Sequence, residues 1–251
     1  MKNGKPTILF AYITPFHPER GGIGRVTHRL TCELQKRGYE IFYLIYPSAI
    51  TIRHEYEYPA PLEYLPSSNC ESEENLTFYH DFIKKHDIDI IINQSGAFGD
   101  SRLWLNTGNH KTKVISCVHQ NPLISYYHLW EELYPLRNSS FKEKIKRIVR
   151  CLLYPKIKHD FLQSRINHYE WLIPQTDKLC LLSARFLPEF SKLVCNGYDS
   201  KIISISNPNS YDMPRKIPDG YLEKKKKIAI FVGLIDHFPP KNQISLSESG
   251  V

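Results

Sequence analysis

The sequence lacks the short cysteine and histidine spacings that hold metal ions. It contains no CxxC pair, no HExxH motif and no Asp-x-Asp at the carboxyl end of an apolar segment. These absences leave a metal centre without support, so we expect a protein that needs no metal. The six cysteines are expected to be reduced, and several lie in apolar segments where they act as small hydrophobic residues: Cys32, Cys70, Cys117, Cys151, Cys180 and Cys195.

Long apolar runs and several functional signatures are also absent. No segment approaches the ~20 apolar residues that cross a bilayer, and the N-terminal segment is too short for a secretory signal. We therefore expect a cytoplasmic protein. The sequence has no GxSxG elbow, no P-loop GK[ST] and no zinc-finger or RNA-binding signature, which disfavours a serine hydrolase, a P-loop enzyme and a nucleic-acid partner.

Positive charge is present in excess. The formal net charge is +7, from 33 Lys and Arg against 26 Asp and Glu, and the isoelectric point is near 9.0. Such a balance favours an anionic partner, for example a nucleotide sugar, a lipid-linked phosphate or an anionic membrane leaflet. A basic surface that only keeps the protein soluble explains the charge equally well.

Apolar segments of strand length alternate with helical segments. The run Ile8–Ile13 is followed by a glycine-rich turn, a helix with its apolar stripe at Val26, Leu30 and Leu34, and a second run at Ile41–Ile45. This βαβ pattern requires a parallel sheet. Further strands are predicted at 87–93, 114–118, 177–182 and 202–205. The alternation predicts an α/β fold with a Rossmann-like, doubly wound parallel sheet.

The composition changes near the C-terminal end. Residues 1–211 are predicted to form one domain, and 212–227, which end in Lys224–Lys227, form a linker. Residues 228–251 open with another buried strand pattern, so we expect them to be a short stub that begins a second domain without completing it. Early termination of a longer chain would explain such a tail.

The sharpest local motif is the glycine-rich segment between the first strand and the first helix. In Thr14–Arg25, the glycines Gly21 and Gly22 allow a ligand to approach the backbone, and the start of the helix offers unpaired N–H groups. We expect an anionic or hydroxyl-rich ligand there. A tight turn without a ligand is the alternative.

Polar residues follow three other predicted strands. His119 ends the strand 114–118, Asn93 stands at the end of the strand 87–93, and Asn207 follows the strand 202–205. Ligands of open α/β sheets bind beyond the carboxyl ends of the strands, so these residues are candidates for contacts with sugar hydroxyls or phosphate. Ordinary turn formation remains the alternative for each.

A basic amphipathic helix is predicted at 141–153. Its bases are Lys142, Lys144, Lys146, Arg147 and Arg150, and its other face is apolar. Such a helix can lie on an anionic membrane, although the same pattern also fits a surface helix that packs on its own core.

These segments together resemble the GT-B glycosyltransferases of family 4. The resemblance covers nearly the whole chain and is carried by the order of the following pieces: the Gly21–Arg25 turn into a helix, the strand ending at His119, the strand from Lys178 to Ser183, Ile205–Asn209, and Phe231–Asp236 with Lys241 and Asn242.

The resemblance implies two Rossmann-like domains and transfer of a sugar from a nucleotide-sugar donor to a glycan or lipid-linked acceptor. Retention at the anomeric carbon is implied, with no cofactor besides the nucleotide-sugar co-substrate. Gly21 and Gly22 would lie beside the acceptor and the transferred sugar, His119 near the reacting centre as the catalytic candidate, and Lys241 at the donor diphosphate.

The chain departs from the family pattern in two places. Leu234 stands where the family usually has an arginine, and the paired-glutamate motif of the donor domain is missing. We therefore expect an enzyme of polysaccharide or glycolipid synthesis whose activity in this form is small. The alternative is a non-catalytic remnant, or a module that binds acceptor or membrane. A nicotinamide oxidoreductase is disfavoured because Tyr46 and Pro47 stand where an acidic residue is needed.

Overall fold

The computed structural model describes residues 4–18, 21–47, 56–99, 102–130, 141–194 and 197–207. Seven parallel strands form one sheet in the order β3-β2-β1-β4-β5-β6-β7. The strands are β1 (Ile8–Tyr12), β2 (Ile41–Ile45), β3 (Leu62–Tyr64), β4 (Ile90–Asn93), β5 (Lys113–Val118), β6 (Lys178–Leu181) and β7 (Ile202–Ser204). The prediction of a doubly wound, Rossmann-like α/β fold is confirmed.

The helices connect the strands as the alternation predicts. They are α1 (Gly22–Lys36), α2 (Glu73–Lys85), α3 (Arg102–Leu105), α4 (Ile124–Tyr127), α5 (Phe141–Leu152), α6 (Tyr154–Gln175) and α7 (Leu187–Val194). Two 3₁₀ turns lie at Ala184–Phe186 and Asp199–Lys201. No helix in these described ranges is long and apolar enough to span a membrane.

Both faces of the sheet are covered around β1 and β2. Because successive residues of a strand point to opposite faces, Leu9 and Leu44 pack with α2 and α3, on a cluster that includes the fully buried Trp104. Phe10 and Tyr43 face the other way and pack with α1. Burial of this alternating apolar set is the main stabilising contribution to the fold.

Helix α1 is ended by Gly38, two residues after its last helical residue. This glycine has φ of 82°, its N–H donates to Gln35 O at 2.8 Å, and the N–H of Tyr39 donates to Leu34 O at 3.1 Å. These two bonds form a Schellman motif, in which the left-handed residue is almost always glycine. Because the helix ends here, the chain can return as β2 and pair with β1.

The described residues divide into two compact units. One contains the residues up to Pro122 and those from Ser164, and holds the whole sheet; the other contains 123–130 and 141–163. The second unit includes α4, α5 and the first part of α6, which belong to the long connection between β5 and β6. The predicted linker 212–227 and stub 228–251 lie outside the described residues.

Candidate functional site

The candidate site is a cavity of about 170 Å³ in the unit that holds the sheet. It lies beyond the carboxyl ends of β4, β5 and β7 and beside the start of α1. Between β1 and β4 the order of the strands reverses direction, and ligands of open α/β sheets bind at such a switch point. The residues that line it are Gly22, Ile23, Gln94, Ala97, Phe98, His119, Gln120 and Asn207.

The start of α1 supplies backbone donors to this cavity. The first bond of the helix joins Arg25 N to Gly21 O at 3.3 Å, so the N–H groups of Gly22, Ile23 and Gly24 have no carbonyl partner within the helix. The helix dipole adds a partial positive charge at the same place. This end of α1 is suited to an oxygen-rich ligand.

The glycines of this turn serve different purposes. A Cβ atom on Gly24 would lie 2.4 Å from the carbonyl oxygen of His17, a contact with backbone that cannot be relieved by a side-chain rotation. A Cβ atom on Gly21 or Gly22 would meet no atom within 4 Å. Gly24 therefore permits the close packing of α1 on the preceding loop, whereas Gly22 keeps the cavity wall open.

Gln94 connects α1 to His119. Its Nε2 donates to Thr27 Oγ1 at 3.0 Å, which directs its Oε1 toward the imidazole Nε2 of His119. Since an amide oxygen only accepts, the His119 Nε2 carries the proton and its Nδ1 has a free lone pair. The side chain of His119 is thus held in one tautomer by a buried glutamine.

His119 is uncharged at neutral pH. Desolvation lowers the pKa of His119 to about 4, because burial disfavours the charged imidazolium. In this state the ring can accept a hydrogen bond through Nδ1 but cannot serve as a cation. A contact between His119 and a sugar would therefore be made through Nδ1 as an acceptor, since the proton on Nε2 is already bound to Gln94.

The loop after β4 is fastened from two sides. The Gly96 N–H donates to Cys117 O at 3.1 Å, and a Cβ on Gly96 would lie 2.8 Å from that same oxygen. From α6, His168 Nε2 donates to Gly96 O and Arg165 Nη1 donates to Ala97 O, each at 3.0 Å. The pKa of His168 lies below its usual value, mainly because the ring is buried. These contacts hold Ala97 and the partly exposed Phe98 at the cavity wall.

Asn93 lies underneath the cavity and does not line it. Its side chain is fully buried; Nδ2 donates to Ser116 Oγ at 3.2 Å, and Oδ1 accepts from Ser95 N at 2.9 Å. Asn93 follows Ile91 by two residues in β4, so its side chain points to the same face of the sheet, into the core on the α2 side. Its role in the structure is to connect β4 with β5 and shape the loop that follows.

The structure brings together three of the sequence-predicted residues, Gly22, His119 and Asn207. Gly21 precedes them as the N-terminal cap of α1 and is not part of the wall. Lys241 lies outside the described residues. The segment 93–96 was a candidate from the sequence through its amide and hydroxyl groups, but Gln94 lines the wall in place of Asn93, the residue singled out there. The aromatic wall residue Phe98 was missed, because no motif predicts it.

A second, apolar cavity of about 200 Å³ continues from the first. The two share Gln94, His119 and Asn207. The rest of its lining comes from α1, from one face of β4 to β6 and from the chain after β6 and β7: Val26, Leu30, Ile92, Ile115, Cys117, Val118, Cys180, Leu182, Ile205 and Ser206. The candidate site thus has a polar mouth and an apolar extension.

Helix α5 presents an unusual surface in the other unit. Four of its apolar side chains, Ile145, Ile148, Val149 and Leu152, are exposed, with Ile148 at 59% and Leu152 at 77%. The bases Lys142, Lys146 and Arg150 are exposed as well. Apolar side chains flanked by bases are the pattern of helices that lie on anionic membranes.

The sequence of the chain matches a family of glycosyltransferases. The family model described as Glycosyltransferase Family 4 matches residues 20–159, and a comparison with curated proteins gave no match. Among solved structures, a glycosyltransferase from Rickettsia africae ESF-5 superposes with a TM-score of 0.48 at 14% identity, over 81% of this chain and 43% of that chain. The chain therefore spans less than half the length of that protein. Since the family model matches more than half of the 251 residues, the chain belongs to glycosyltransferase family 4.

Proposed function

We propose that this chain takes part in the transfer of a sugar from a nucleotide-sugar donor to a glycan or glycolipid acceptor, with retention, in the synthesis of a cell-surface polysaccharide. The observation that carries the proposal is the cavity at the switch point of a family 4 sheet, where Gly22, Gln94, His119 and Asn207 converge. We assign this cavity to the sugar that is transferred or accepted.

The lining of the cavity favours an uncharged sugar ring. Ile23, Ala97 and Phe98 form its apolar side, while Gln94, His119, Gln120 and Asn207 form its polar side. A pyranose has the same division, with C–H groups on its faces and hydroxyls along its edge. The described wall residues include no charged side chain to pair with a carboxylate. The partial positive charge at the start of α1 is smaller than that of a cation, and burying a charge without a full partner is costly, so a carboxylated sugar fits this site less well than a neutral one.

Each polar group has a defined part in binding. The free Nδ1 of His119 accepts from a sugar hydroxyl, because its Nε2 is bound to Gln94. The N–H groups at the start of α1 donate to sugar oxygens, and Asn207 can do both. We further propose that Lys241 binds the donor diphosphate, where a cation stabilises the negative charge that develops on the leaving nucleotide.

Helix α5 is proposed to attach the protein reversibly to the inner face of the membrane. Its exposed apolar side chains enter the interface, and its bases bind anionic headgroups. Such attachment would bring the enzyme to a lipid-linked acceptor. The same surface favours a second candidate function, in which the chain binds membrane or acceptor without catalysing transfer.

Titration calorimetry with a sugar panel tests the proposal. The panel contains neutral hexoses, hexosamines, the matching uronic acids, and their nucleotide conjugates. We expect saturable binding of at least one neutral sugar or its conjugate, and weaker binding of its uronic acid. Absence of saturable binding across the panel, or a preference for the acids, would contradict the proposal.

Two variants locate the binding. Asn207→Ala removes an exposed wall residue, and we expect a loss of affinity of several-fold to tenfold, the effect of about one lost hydrogen bond. Lys84→Gln, on exposed α2 away from the cavity, is the matched control and leaves the affinity unchanged. Release of the nucleoside diphosphate, measured when the donor and acceptor are both present, distinguishes sugar transfer from simple binding.

A further inference from the structure

Two cysteines face each other across neighbouring strands behind the candidate site. The parallel register sets Cys117 of β5 directly opposite Cys180 of β6, and residues paired in this way project from the same face of a sheet. Both line the apolar cavity of about 200 Å³ that shares Gln94 and His119 with the sugar cavity. Both are free thiols, and Cys180 is 9% exposed.

The two thiols have different protonation properties. A hydrogen bond from the Cys117 thiol to the Cys180 sulfur raises the pKa of Cys117, and burial raises it further. The same bond lowers the pKa of Cys180. Because the thiolate is the nucleophile in exchange with disulfides, the lowered pKa favours Cys180 over Cys117 as the sulfur that attacks first.

The separation of the two strands matches the Cα distances of disulfides, and a small shift of the strands would bring the two Cβ atoms to the ~3.8 Å that disulfides have. Neighbouring strands lie about 4.8 Å apart, and disulfides join residues whose Cα atoms are separated by roughly 4.4–6.8 Å. The other described cysteines are not placed opposite a second cysteine by the strand register; Cys32, for example, has its sulfur 3.7 Å from Nε2 of His28.

We propose that Cys117 and Cys180 form a reactive dithiol site, which takes small disulfides such as glutathione disulfide and closes to an intramolecular disulfide. The Cys180 thiolate attacks one sulfur of the small disulfide, forms a mixed disulfide and releases one thiolate. Cys117, deprotonated by water, then attacks the Cys180 sulfur and releases the second thiolate. The two cysteines are oxidised, the small disulfide is reduced to two thiols, and those thiols take up the two protons.

This site is independent of sugar binding in its chemistry but adjacent to it in space. The bond would form in the wall of the cavity that continues from the sugar cavity, two residues before His119 in the sequence. A sugar is not needed for the exchange. Failure of the proposed glycosyl transfer therefore leaves the test of the dithiol unaffected.

The test is oxidation of the full chain in glutathione buffers of increasing disulfide fraction, followed by alkylation, digestion and mass spectrometry. We expect the protein to lose the mass of two hydrogen atoms and to give a peptide in which Cys117 is joined to Cys180. Absence of the joined peptide at every buffer ratio overturns the proposal, as does a different partner for either cysteine.

Variants make the assignment specific. Cys117→Ala should leave Cys180 as a mixed disulfide with glutathione, because the resolving thiol is missing. Cys70→Ser and Cys151→Ser are matched controls and should still form the Cys117–Cys180 bond. If Cys117→Ala still loses two hydrogen atoms between the remaining cysteines to the same extent as the wild type, the proposed pair is wrong. The wild-type result decides the question even where a variant does not fold.

Discussion

His119 is the residue with the most clearly defined electrostatic state at the site. Desolvation lowers its pKa from the ordinary 6.5 to about 4, so the folded protein holds it neutral while the unfolded chain binds a proton below 6.5. Its contribution to stability is complete above pH 6.5 and falls as the pH drops toward 4, because the unfolded state then binds more protons.

In NMR spectra of ¹³C-labelled protein, we therefore expect one histidine whose ring signals titrate near pH 4. These signals should be absent from the spectra of His119→Gln. The stability advantage of the wild type over this variant should shrink by on the order of 3 kcal/mol between pH 7 and pH 4. A titration of His119 near 6.5 would contradict its burial against Gln94.

A second prediction concerns the different roles of Gly24 and Gly22 in the turn before α1. Gly24→Ala should destabilise the fold by about 1–3 kcal/mol, because its Cβ would lie 2.4 Å from the His17 carbonyl oxygen. Gly22→Ala meets no atom within 4 Å and should keep the melting temperature while weakening sugar binding. Thermal unfolding and calorimetry on both variants test this; equal stability of the two would show that Gly24 is not tightly packed.

Asn93 shows why a sequence motif does not identify which member of a polar pair faces the cavity. Asn93 and Gln94 both follow an apolar strand, but parity places Asn93 in the core, and only the position of Thr27 and His119 decides that Gln94 lies at the cavity. Those neighbours are distant in sequence, so no local pattern contains the information.

Asn93→Ala should accordingly reduce stability more than it affects the site. The change leaves Ser95 N and Ser116 Oγ without their buried partner, which costs about 1–3 kcal/mol. Chemical denaturation measures the loss, and calorimetry on the folded fraction should give an unchanged sugar affinity. A normal stability with impaired binding would instead support a direct contact between Asn93 and the ligand.

At the scale of elements, periodicity predicted the strands that are buried and missed the one that is not. β3 has three residues, none of them fully buried, and it exists because it pairs with the edge of β2. Its sequence lies in a stretch whose polar and proline residues indicate a loop. By contrast, the end of α1 could be predicted from Gly38, because glycine readily adopts the positive φ that this position has.

Helix α5 gives the prediction at this scale. Sedimentation with vesicles should show binding that requires anionic lipid and weakens with salt, because each base near such a surface contributes roughly 1 kcal/mol. Replacing Lys142, Lys146 and Arg150 by glutamine should abolish it. The matched control replaces Lys36, Lys84 and Lys192, which lie on other helices, and should retain binding. Equal binding to neutral vesicles would rule out the proposed electrostatic attachment.

At the scale of the whole molecule, the topology was predictable and the site was predictable only in part. Alternating apolar segments predict a parallel sheet, and ligands of such sheets bind where the strand order reverses, here between β1 and β4. Gly22, His119 and Asn207 follow from that rule because each stands at the carboxyl end of a strand or the start of a helix. Ala97 and Phe98 do not follow from it, since their positions depend on contacts from α6.

Two cavities at opposite ends of the strands can be compared as binding sites. The sugar cavity, about 170 Å³, lies at the carboxyl ends of the strands. A larger one, about 390 Å³, lies near the amino ends of β4 and β5 and is lined by residues that include His80, Asp87 and Gly108. Size alone favours the second cavity, whereas the switch-point argument favours the first.

Chemical-shift mapping of the ¹⁵N-labelled chain, titrated with the neutral sugar that binds best in the calorimetric panel, tests the central claim most directly. The account predicts that the largest shifts occur at the backbone N–H groups of Gly22, Ile23, Gln94 and Phe98, and that Gly22→Ala diminishes them at equal ligand concentration. Shifts concentrated at Gly108 and the residues around it, with those four signals unmoved, would contradict it.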